Sequence, residues 1–72
     1  MSLIVHLQHH RKKAGLTQAG LAAKAGVSRK TINTVENGVF IPSTTLALTL
    51  ARVLGVSVHD LFQLPHKEKD TL

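Results

Sequence analysis

The chain of 72 residues has room for one domain with a small core. It has no cysteine, which excludes disulfides and thiolate metal sites. No apolar run approaches the roughly 18 residues of a membrane span. The net charge of +5 is unevenly spread: residues 1–35 carry Arg11, Lys12, Lys13, Lys24, Arg29 and Lys30 and no acid, whereas residues 36–72 carry three cations and four acids. A basic half attracts polyanions, nucleic acid first and an anionic membrane second; a merely soluble basic protein is the plainer alternative. The only aromatic rings are Phe40 and Phe62, too few to stack single-stranded bases, so a duplex is the better partner. The N-terminus lacks the charge-then-apolar order of a signal peptide. A soluble cytoplasmic protein is expected, nucleoid-associated if DNA is the partner.

Gly15, Gly26, Gly38, Pro42, Gly55 and Pro65 divide the chain into five short pieces and a tail. No piece alternates apolar and polar residues long enough to suggest a strand. The first piece, Leu3 to Ala14, sets Ile4, Leu7, Arg11 and Ala14 on one helical face. The second, Thr17 to Ala25, has Thr17 as N-cap and Leu21, Ala22 and Ala25 inside. Gly20 weakens it by roughly 0.5–1 kcal/mol against alanine. The third starts at the N-cap Ser28 and ends at Gly38, which suits a left-handed stop. The fourth follows Pro42, with Ser43 or Thr44 as cap, and buries some of Leu46, Ala47, Leu50, Ala51, Val53 and Leu54. The fifth opens on Ser57-Val58-His59-Asp60, at capping-box spacing, with Leu61 and Phe62 inward. Residues 65–72 are read as a polar tail with frayed structure. An all-α fold is expected. Pieces two and three, joined by Ala25-Gly26-Val27, have the short glycine-containing turn of a helix-turn-helix.

On a helical wheel the third piece turns Ser28, Ile32 and Val35 one way and Lys30, Asn33, Thr34 and Asn37 the other, with Arg29 and Thr31 flanking. An ordinary solvated helix also has a polar side, but such sides usually mix acids with lysines. This one carries no acid on its outward arc. A major groove about 12 Å wide admits a helix, and Arg, Lys, Asn and Thr all have partners among base edges there.

The run LTQAGLAAKAGVSRKTINTVENG, then IPS and LALTLARVLGVSVHDLF, resembles the lambda-repressor-like helix-turn-helix family, of Cro/repressor or Xre type, from about Leu3 to Leu64. The resemblance implies a five-helix DNA-binding domain over residues 1–64, commonly a homodimer on a palindromic operator, and a repressor of transcription. It needs no cofactor. By position, Gln18 and Thr17 at the start of helix two would hold phosphate. Arg29, Lys30 and Thr34, with Asn33, would read bases. Ser28 would cap helix three and touch phosphate, and Asn37 and the amides near Gly38 would hold phosphate at its end. Two departures stand out. Gly20 replaces the glutamate that often completes a capping box, and Val39-Phe40-Ile41 replaces the Lys or Arg that often follows ENG.

Arg11 lies on the inward face of the first piece, where a guanidinium needs a partner. The only acid before Asp60 is Glu36. An Arg11–Glu36 ion pair is expected, the alternative being an Arg11 that reaches solvent along its stem. His6 and His10, four apart, make at most two metal ligands, short of the three or four a site needs. No nucleophile elbow or phosphate-cradling loop is present, so an enzyme is not expected. A second class of function stays open: an antitoxin-type module that grips a toxin through Val39 to Ile41 and Leu48, with DNA binding secondary.

Overall fold

Caps and stops set the helix boundaries. The computed structural model describes residues 3–65; the tail expected after Pro65 lies outside the described residues. The order is β1 (Ile4–Val5), α1 (Leu7–Lys13), α2 (Gln18–Ala25), α3 (Arg29–Glu36), α4 (Thr44–Leu54), α5 (Val58–Leu61) and β2 (Phe62–Gln63). Thr17, Ser28 and Ser43 each accept the backbone N–H three residues on, at 2.9, 3.1 and 3.1 Å. Ser57 and Asp60 close a reciprocal capping box. These bonds satisfy donors that a helix start leaves orphaned. The Ser57 backbone N–H, and then its hydroxyl, hold the Asp60 carboxyl below its ordinary 3.8.

Each of the first four helices ends the same way, at Gly15, Gly26, Gly38 and Gly55, all with φ between 70° and 75°. After α3, Gly38 N–H donates to Val35 O at 3.1 Å and Val39 N–H to Thr34 O at 3.0 Å. That is the Schellman pattern, whose left-handed residue is cheap only for glycine.

Leu7, Leu21, Ile32, Val35, Leu50 and Leu61 are fully buried, and Ala22 and Ala51 nearly so. Every helix thus sends at least one side chain to a common centre, each large one worth about 1.5–3 kcal/mol of transfer free energy. Val5, Leu16, Val27, Val56 and Phe62 pack around it.

The N-terminus departs from expectation. α1 starts at Leu7, not Leu3, and Ile4–Val5 forms an antiparallel ribbon with Phe62–Gln63, pairing Ile4 with Gln63 and Val5 with Phe62. His6 N–H donates to Leu61 O at 2.8 Å. The β-branched pair Ile4-Val5 gains more from this extended partner than from an uncapped helical turn, for His6 makes no side-chain cap. Only Leu7 and Arg11 of the expected inward face are buried; Ile4 and Ala14 are exposed. Phe62 likewise leaves the helix for the ribbon while still packing inward. The architecture remains helical, with the ribbon as its closing clasp.

Candidate nucleic-acid interface

α2 and α3 are joined by Gly26, Val27 and Ser28. Val27 N–H donates back to Ala22 O at 3.0 Å, and its side chain packs on the core. Leu21 and Ala22 of α2 and Ile32 and Val35 of α3 lie in the same interior. With those positions committed inward, α3 has one way to face. Arg29, Lys30, Asn33 and Asn37 are exposed, and Thr31 and Thr34 half-buried.

Beneath this face lies the expected ion pair. Arg11 Nε donates to Glu36 Oε2 at 2.6 Å and Arg11 Nη2 to Glu36 Oε1 at 3.2 Å, with side chains 8% and 2% exposed. Arg11 Nη1 donates to Leu16 O at 2.9 Å, so the guanidinium is also tied to the α1–α2 connection. The bidentate geometry and the extra bond are what a desolvated pair requires.

The network continues to the surface. Gln18 Nε2 donates to Glu36 Oε1 at 2.9 Å and to Asn33 Oδ1 at 3.2 Å. Asn37 Nδ2 reaches the same Asn33 oxygen at 3.5 Å, the long limit of a hydrogen bond. A carboxylate only accepts, so Glu36 dictates that Gln18 presents its amide nitrogen. The second proton of that nitrogen then requires Asn33 to present its oxygen. The buried charge pair thereby orients two carboxamides in sequence. Asn33 is left with donors facing outward and its acceptor occupied. Bidentate pairing to adenine needs that acceptor; guanine N7 and O6, or a phosphate, need only donors.

The other expected site residues fall as follows. The Thr34 hydroxyl donates to Lys30 O at 3.1 Å and Thr31 O at 3.0 Å, so its proton is not free for an outside partner and only its lone pairs and methyl group are. Both Gln18 amide protons are engaged, leaving that side chain no donor for phosphate in this arrangement. Thr17 and Ser28 act as caps, and Ser28 also bonds Thr31 Oγ1 at 3.0 Å. The backbone N–H groups of Asn37, Gly38, Val39 and Phe40 all donate within the chain. The amides at the end of α3 expected to hold phosphate are therefore already engaged, and of that end only the Asn37 side chain keeps polar groups toward solvent. Nothing in the sequence signalled Gln18 as the bridge, because residues 18, 33 and 36 meet only through packing. His6 precedes α1 and lies 3.2 Å from Gln63 Oε1. Among the described residues no cluster of three His, Cys, Asp or Glu could hold a metal, and no helix is long and apolar enough to cross a membrane.

The acids of the described residues, Glu36 and Asp60, are both turned to internal partners. The α3 face is thus cationic without local compensation. A short two-helix unit with such a face, on a five-helix frame, is the helix-turn-helix arrangement of a DNA-binding transcriptional regulator. The helix-turn-helix family profile matches residues 7–61, and the chain belongs to that family, in its Xre or lambda-repressor-like branch. It is 45% identical over 56 residues to an uncharacterized HTH-type transcriptional regulator of Methanocaldococcus jannaschii, covering 78% of this chain and 85% of the relative. Among solved structures it resembles SinR of Bacillus subtilis, the master regulator for biofilm formation, in complex with DNA: TM-score 0.71, 33% identity, 75% of this chain and 87% of that one. It also resembles the restriction-modification controller protein C.AhdI from Aeromonas hydrophila: TM-score 0.75, 33% identity, 79% of this chain and 86% of that one.

Proposed function

We propose that the protein is a sequence-specific repressor that reads the major groove with α3, as a homodimer on a palindromic operator. The observation that carries this reading is the acid-free outward side of α3, with Glu36 withdrawn into a buried ion pair beneath it. In this reading Arg29 and Lys30 supply cationic donors for guanine or phosphate. Asn33 supplies amide donors, and Thr34 a methyl group and acceptor lone pairs. Thr17, Asn37 and the backbone N–H groups of Gln18 and Ala19, which the Thr17 cap leaves free, supply phosphate contacts. Affinity is expected to fall with salt at about 0.9 log units per log unit of salt for each phosphate neutralised.

A second copy would find an apolar face on the molecule. Leu3, Ile41, Ala47, Leu48, Val58 and Phe62 line one cleft, and Ile41 and Leu48 are exposed there. The same face supports a second reading, in which a toxin-like protein is the partner and DNA binding is secondary. Selection of bound sites from random duplex DNA, followed by sedimentation with the recovered site, separates these. A palindromic motif bound by two protomers is the expected result. Failure to enrich any sequence, or indifference to all duplexes at low ionic strength, would refute the repressor reading.

A further inference from the structure

Of the four glycine stops, three are followed by an apolar residue packed on the core: Leu16, Val27 and Val56. The fourth is followed by Val39, which is 78% exposed, and then by Phe40 and Ile41, also exposed. The backbone of Val39 and Phe40 is held in place while their side chains lack cover. Val39 and Phe40 both donate their N–H groups to Thr34 O, at 3.0 and 3.1 Å, so they are fixed to the last turn of α3. Lys30, Thr31, Thr34, Val39 and Phe40 together line one open cleft of about 300 Å³. The apolar ledge is therefore continuous with the side of α3 assigned above to base reading, and shares a wall with two of its residues.

Building on that reading, we propose that Val39, backed by Phe40, receives the C5-methyl group of a thymine in the major groove and so specifies a base pair through apolar contact. The methyl is the one apolar group that a base pair presents in that groove. Thr34 favours it, since its hydroxyl proton is turned back to the helix. Lys30, on the same cleft, can hold a neighbouring phosphate. Charge argues against a second copy as the occupant: this cleft sits on the acid-free cationic side, and two such sides repel. Val39 thus does the work of a reading residue where a Lys or Arg would have held only phosphate.

The test uses the full chain and the duplex recovered by site selection. Each thymine is replaced singly by uracil, which deletes only the methyl, and affinity is followed by fluorescence anisotropy. One thymine in each half-site should weaken binding about fourfold when demethylated, the worth of one buried methyl. Val39→Ser should bind the thymine and uracil duplexes equally, with an unchanged melting temperature, since the side chain buries little. Should the wild type tolerate uracil everywhere, or Val39→Ser retain the full discrimination, the proposal is wrong. Should Val39→Ser dissociate protomers in sedimentation while keeping the discrimination, the ledge is a protein contact and the proposal again falls. Failure of the underlying DNA reading looks different, because no preferred duplex would then exist to demethylate.

Discussion

The α2–α3 side and the α4–ribbon side treat their exposed residues in opposite ways. On the first, polar groups are bonded to one another in series, from Arg11 through Glu36 and Gln18 to Asn33. What reaches the surface there, beside the Val39–Phe40 ledge, is a set of unspent donors and cations. On the second, Ile41, Leu48 and Leu64 stand exposed around half-buried Phe62. One surface is preorganised to meet a polar, charged object; the other gains by excluding water. Hydrogen bonds select a ligand by direction, and apolar area does so only by shape, so the proposed reading assigns sequence discrimination to the first side and assembly to the second.

The largest blow to this contrast is to break the polar chain at its buried end. Glu36→Ala leaves the Arg11 guanidinium desolvated and should cost about 3–5 kcal/mol in urea denaturation, a large share of the 5–15 kcal/mol that a typical domain has. The double change Arg11→Met with Glu36→Leu should recover most of it, because no charge is then stranded, while leaving Gln18 and Asn33 without a director. Loss of stability from Glu36→Ala near zero would show the pair to be decorative.

Next is Arg29→Ala, expected to weaken the selected site by about 1–3 kcal/mol and to relax preference at one base pair. Equal losses on selected and random duplex would make Arg29 a phosphate contact. Smaller, and sharper as a probe, is Gln18→Ala. It removes two hydrogen bonds, to Glu36 and to Asn33, each worth about 0.5–1.5 kcal/mol, and frees the Asn33 oxygen from Gln18. Repeating the selection should then admit adenine at a position where the wild type prefers guanine; an unaltered motif would show that Asn33 takes no orders from Gln18.

The smallest effect lies at Asp60, in the N-terminal cap of α5. Its carboxyl is held below 3.8 by the Ser57 N–H and hydroxyl, so the ionised form favours the folded state above the unfolded value. That contribution disappears as pH falls through the folded value. The melting-temperature gap between wild type and Asp60→Asn should therefore be present at neutral pH and close in acid. A gap that widened in acid would contradict the assignment.

How much of this was readable beforehand follows from range along the chain. Caps act over three residues, so Thr17, Ser28 and Ser57 could be recognised from local spacing alone. Arg11–Glu36 is remote, yet it was deducible because an inward arginine needs an acid and Glu36 is the only one before Asp60. The ribbon was not, since two residues at each end carry no periodicity and their partner is more than fifty positions away. The direction of the Asn33 amide was equally hidden. It depends on Gln18, which depends on Glu36, and on the angle between helices that no pattern of residues states. Thr34 was rightly placed on the outward arc, but its hydroxyl proton was lost to the preceding turn, a choice made by local geometry and not by residue type.

The ribbon has a consequence for the order in which the molecule assembles. It joins residues 4–5 to 62–63, so all five helices lie inside the loop it closes. The α2–α3 pair is made from chain neighbours and needs only a short turn to form. Closing a long loop costs more entropy than closing a short one, and nearby contacts form ahead of distant ones. The DNA-facing pair should therefore be shaped early in folding and the clasp should close last. In hydrogen exchange, the His6 amide should then open more readily than those of Ile32 and Val35, leaving the reading surface intact while the ends breathe.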